Sequence, residues 1–305
     1  MSPVTFPLSA TAIRSSAVTS PDVRARVAHL LERATIEVYS RNAPETLDAY
    51  FPRGRDVYVS YLPGDDFHKR VEIASALRAA GYNPVLHVPA RQILSANMLE
   101  DYIGGAAAAA KIDRVLLIAG DSTRARGPYS TSLELIESGV FQRHGVKIVD
   151  VAGHPEGNVG MSPDHLSRVL VDKRDAARAS GLDMGIVSQF SFDPRPVETW
   201  LGMIHDAGLD VPVRVGLAGP ASPATLLKFA LRCGIGNSVS AVQKHVGTIG
   251  RLLRDTGPEG VVRGLGKVLT SEAGARVECF HFFPFGGLAK TSAWIRSAMD
   301  GAAGL

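Results

Sequence analysis

The chain has 305 residues, 45% of them hydrophobic, and 33 Lys and Arg against 30 Asp and Glu give a formal net charge of +3. Such a length buries a sizeable core, and charges of both signs spread along the chain give no clustered basic face for nucleic acid. The nine histidines show no zinc-site spacing, and no apolar run approaches the roughly 20 residues that span a bilayer.

Residues 1–20 are rich in Ser, Thr and Ala, carry Arg14 and no acid, and lack the apolar stretch of a signal peptide. They read as a flexible tail before a single catalytic domain over 21–305. Two cysteines, Cys233 and Cys279, suit a reducing compartment, so a cytoplasmic location is expected. From residue 35 onward, short β-branched runs alternate with longer amphipathic stretches. The runs are 35–40, 56–62, 84–89, 114–120, 147–153, 185–192, 211–217 and 276–283. Eight such runs are the number that closes a parallel (β/α)8 TIM barrel, and their near-continuous apolar character suits strands covered on both faces.

The intervening stretches read as helices. Val71, Ala74, Leu77 and Ala80 set a helical rhythm over 66–80, and 106–110 is an alanine-rich helix end. Pro163 and Pro223 occupy first-turn positions before helices over 164–180 and 224–233. Two more helices, over 239–254 and 258–271, precede the last strand, with Gly257 as a stop signal between them. A doubly wound dinucleotide fold would show a Gly-rich turn after its first strand; here the chain reads VYSRNAPE after Glu37.

In such a barrel, chemistry collects at the C-terminal ends of the strands. The polar residues there are Glu37, Ser60, Tyr61, His87, Asp121, His154, Glu156, Gln189 and His281. Carboxylates, an amide and histidines on one rim suit a polar heterocycle and proton transfer.

The blocks LIAGDS at 117–122, AGHPEGN at 152–158, SQFSFD at 188–193 and CFHFF at 279–283, in that order, resemble the methylenetetrahydrofolate reductase family from residue 35 to 283. The resemblance implies an FAD-dependent oxidoreductase interconverting 5,10-methylenetetrahydrofolate and 5-methyltetrahydrofolate, with NAD(P)H as electron donor. A methylfolate-oxidising direction in one-carbon catabolism fits the same pattern. Glu37 matches the family's general acid, and its apolar neighbours Ile36 and Val38 would raise its pKa. Asp121 matches the carboxylate beside the flavin that reaches the pterin, and Gln189 the amide on the pterin edge. Ser60, Tyr61, His87, Gly120, His154, Glu156 and Asn158 match flavin positions, with Arg174 or Arg178 toward the diphosphate. Phe283 and Lys290 are the folate-side candidates. The chain departs from the family at Ala119, at His154, at 215–220 (VGLAGP) and at 283–288 (FPFGGL). The departures at Ala119 and His154 suit a flavin-free nicotinamide-dependent reductase, and a reading from another class is a silent folate-binding partner of a methyltransferase system. A small-molecule folate ligand and a homo-oligomer are expected, with no metal, nucleic acid or membrane partner.

Overall fold

The computed structural model describes residues 21–62, 64–120, 122–158, 160–233, 235 and 257–301. Eight parallel strands close into a barrel in sequential order. They are β1 (Thr35–Val38), β2 (Asp56–Val59), β3 (Asn83–Pro89), β4 (Arg114–Ile118), β5 (Ile148–Gly153), β6 (Asp183–Ser188), β7 (Val213–Ala218) and β8 (Val277–Phe283). Each falls within or beside one of the eight runs read from the sequence. Closure rests on β8 pairing back to β1, with Thr35 opposite His281 and Ile36 opposite Phe282.

The strand period of two sorts side chains between two cores. One set (Ile36, Val38, Val57, Val59, Val115, Leu117) packs outward beneath the helices in the large cluster. Inside the barrel, a small plug of Tyr58, Val85, Leu116 and Val187, with Ile118 against it, fills the middle.

The helices begin where local chemistry satisfies their first N–H groups. Asp66 caps α3 (Phe67–Ala79) through His68 N, and Ser95 caps α4 (Ala96–Ala110) through Met98 N. Ser162 caps α7 (Pro163–Ala179), Asp193 caps α8 (Pro194–Asp206) and Ser222 caps α9 (Pro223–Arg232). Pro163 and Pro223 thus sit in the first turn, where the missing N–H costs nothing. Ahead of these lie α1 (Pro21–Glu32) and α2 (Ala43–Leu47); α5 (Ser132–Glu137) and α6 (Val140–Arg143) follow β4. The last two helices, α10 (Glu259–Leu269) and α11 (Leu288–Met299), flank β8. The expected tail over 1–20 and the helix over 239–254 lie outside the described residues. No helix among those described is long and apolar enough to cross a membrane.

Candidate active site

Strand alternation points Thr35 and Glu37 into the barrel, because Ile36 and Val38 are taken by the outer core. Glu37 Oε2 accepts a 2.7 Å hydrogen bond from Ser60 Oγ, just past β2. Its other oxygen, Oε1, lies 3.3 Å from His87 Nε2 on β3 and 3.5 Å from His281 Nε2 on β8. His281 is held at its other nitrogen too, with Nδ1 and Thr35 Oγ1 sharing a hydrogen bond of 2.8 Å. His87 Nε2 is close to the carboxylate but out of line, and it is buried without a hydrogen-bond partner. The turn carrying Ser60 is fixed by buried Arg70, whose Nη1 donates to Ser60 O at 2.6 Å while Nη2 pairs with Asp65 at 2.6 Å.

The electrostatics overturn one expectation. Burial does push the Glu37 carboxyl upward, but His87, His281 and the Ser60 hydroxyl outweigh it and hold the group below its ordinary range. Glu37 is therefore a carboxylate at neutral pH, suited to accept a proton rather than deliver one. The sequence shows its apolar neighbours, yet those face away. Burial lowers His87 in turn, against the pull of Glu37.

One layer toward the N-terminal end, the fully buried Asp150 of β5 anchors a second polar cluster. Tyr58 Oη donates to Asp150 Oδ2 at 2.7 Å. Arg214 Nη1 and Arg114 Nη1 approach Oδ1 at 3.2 and 3.4 Å. Gly185 on β6 leaves room for this carboxylate, since a Cβ there would stand 2.3 Å from Oδ1. The Tyr58 ring then meets His281 edge-on at 4.6 Å between centroids and His87 at 6.4 Å.

Across the rim, past β5, His154 is pushed down to about 4 by burial and by Lys173. Lys173 is itself pushed down to about 8 by burial, and among the described residues it makes no hydrogen bond or ion pair. Burial raises Glu156, which accepts from Ser191 Oγ at 2.5 Å. Gln189 spends its amide oxygen on Phe190 N at 3.1 Å, so the expected paired donor and acceptor are not both open to a ligand. Phe283 stands edge-on to His281 at 5.0 Å and joins Phe190 and Phe285 in an apolar wall.

Other candidates are not brought to this point. Tyr61 stacks on Phe67 at 5.3 Å and packs on the outer core. Arg174 donates to Gly208 O at 3.0 Å and pairs with Asp175, while Arg178 is exposed. Arg174 is thus committed to Gly208 and Asp175, and Lys173, one residue earlier, is the cation beside His154. Asn158 and Lys290 are exposed. Gly120 follows β4 with φ +90°, a conformation that favours glycine, and its neighbour Asp121 lies outside the described residues. Among the described residues, no group of three or more His, Cys, Asp or Glu side chains is arranged to hold a metal ion.

No protein-family model matches the chain. Similar solved structures include an oxaloacetate acetylhydrolase, 13% identical, with 91% of this chain and 86% of that one covered and a TM-score of 0.49. Another is a phosphoenolpyruvate phosphomutase from Streptomyces platensis subsp. rosaceus, 16% identical, with 81% and 93% covered and a TM-score of 0.42. Neither is named as a folate reductase, and on these findings the resemblance to methylenetetrahydrofolate reductase is corrected. FAD, NAD(P)H and the folate substrate go with it, as do the flavin-free reductase and the folate-binding partner. The ionised Glu37, Arg174 already paired with Gly208 and Asp175, and the exposed Arg178 agree with that correction. At such similarity the two names assign neither substrate nor reaction to this chain.

Proposed function

We propose that the chain is an enzyme that removes a proton from a small substrate held at the C-terminal mouth of the barrel, with Glu37 as general base. The observation that supports this is the buried carboxylate kept ionised at the mouth by Ser60, His87 and His281. Glu37 is 14% exposed at its side chain and His87 8%, so the carboxylate is the member more open to the mouth. A depressed pKa makes a carboxylate a weak base by itself. Placement offsets this, because a base held at the substrate's proton acts far more strongly than the same group free in water. The Phe283 wall suits an apolar part of the substrate, and Lys173 suits an anionic part. A cytoplasmic setting belongs to the same proposal and is supported by the scarcity of cysteine, two residues in 305.

The test is deuterium exchange. Purified protein is incubated in D2O with a panel of small carbon acids, 2-oxo and 3-oxo acids among them, and proton loss is followed by NMR. Exchange of a panel member should fall by a factor on the order of 100 or more in Glu37→Gln, the usual worth of a positioned base. An exchange rate that is the same in Glu37→Gln would sink the assignment.

A further inference from the structure

We infer that Tyr58 is a positioning residue for this site, holding the two histidines against Glu37 while Asp150 holds Tyr58. The inference rests on the reading of Glu37 as the base, but it concerns groups that never reach the mouth. Tyr58 is fully buried in the barrel plug, below the carboxylate. Its ring is the surface on which both imidazoles stand, at 77° to His281 and 76° to His87. Such edge-to-face contacts fix ring planes as well as ring positions.

The histidines need that help to different degrees. His281 is tied at Nδ1 by Thr35, and its 3.5 Å reach to Glu37 sits at the limit of a hydrogen bond. His87 has no bond at Nε2, so packing alone directs that nitrogen toward the carboxylate. A rotation of either ring by a few tens of degrees would swing its nitrogen away. Tyr58 blocks that rotation only if it is itself immobile, and the 2.7 Å bond from its hydroxyl to Asp150 provides this. Asp150 in turn is clamped between Arg214 and Arg114 and has no exposure through which to relax. The ion cluster at the closed end of the barrel is thereby coupled mechanically to the proton-handling groups at the open end.

The experiment reads that coupling directly. Imidazole nitrogen shifts of His87 are titrated by NMR in the native protein and in Glu37→Gln, and the difference in its pKa measures its coupling to the carboxylate. An opposite charge at this range moves a pKa by about 1 unit or more, so Glu37→Gln should lower His87 by about that much. In the Tyr58→Leu background the same difference should shrink by about half or more. In Tyr58→Phe, which keeps the ring and loses the bond to Asp150, it should shrink by a smaller amount. A general loss of stability would not by itself change the difference.

An undiminished difference in Tyr58→Leu overturns the inference, and an undiminished one in Tyr58→Phe removes the part given to Asp150. Should Tyr58→Leu fail to fold, Tyr58→Met takes its place, since it also removes the ring while keeping apolar volume, and an undiminished difference there overturns the inference. Loss of deuterium exchange in Glu37→Gln with unchanged coupling would leave the base standing and this inference fallen. Reduced coupling with unaffected exchange would do the reverse.

Discussion

Replacing Lys173 by Met should make the protein more stable. The ammonium sits largely out of water beside His154, with no acidic partner among the described residues, and burial holds it at about 8 against an ordinary 10.5. That depression corresponds to about 3 kcal/mol of cost for keeping the group charged at neutral pH. Partial solvent access at the side chain reduces the expected gain to about 2 kcal/mol. Methionine retains most of the apolar stem and removes the charge. The pH dependence supplies the sharper test. Between the folded value near 8 and the unfolded value of 10.5, the unfolded chain holds a proton that the folded chain has lost, so native stability rises with pH across that window. The variant lacks this rise, and the two stability curves should converge toward pH 10.5. Urea unfolding at four pH values between 7 and 10, with midpoint and slope both fitted, measures the gap. A Lys173→Met protein less stable than the native one at pH 7, or a gap that does not narrow with pH, would refute the account.

Other predictions address the rim and the strands. His154 has a folded pKa of about 4 against 6.5, so its contribution is fully present above pH 6.5 and is lost as pH falls toward 4, about 3 kcal/mol over the window. Glu37, depressed below 4.5, contributes above that value and loses it only at more acid pH; His154→Gln should therefore flatten the stability profile between pH 6.5 and 5, and an unflattened profile counts against the assignment. Gly216→Ala should cost about 1–3 kcal/mol in denaturant unfolding, because a Cβ on β7 would stand 2.2 Å from Ser188 O. A loss below about 0.5 kcal/mol, the scale of ordinary surface changes, would mean that the β6–β7 contact yields freely.

The barrel was legible because its evidence is local. β-branched runs at regular spacing, helical apolar rhythm and first-turn prolines each act within a few residues, and strands and helices formed where these signals lay. The convergence of Glu37, Ser60 and His87 followed from the rim rule, and His281 was visible as the polar end of the eighth run. The charge state of Glu37 was not legible. It depends on partners contributed by β2, β3 and β8, whereas the residues beside it in sequence face the other way. Lys173 was hidden for a related reason: the stretch DKRDAAR reads as a solvated face, and only the helix phase set by packing separates Lys173 from Arg174. Asp150 and Arg214 did carry a signal, a single charge in the middle of an apolar strand. Two such charges at inward positions must find one another, since an unpaired one is costly inside a barrel.

The narrow seam between β8 and β1 has a temporal meaning as well. The contact between Glu37 and His281 joins residues 244 positions apart, and that between Thr35 and His281 spans 246. Such long-range pairs are late events in folding, because the loop they close must first lose its freedom. During synthesis Glu37, Ser60 and His87 emerge long before the eighth strand exists. Until the barrel closes, the carboxylate lacks one of its two histidine neighbours. The polar cluster around Glu37 is therefore complete only once the last strand has docked.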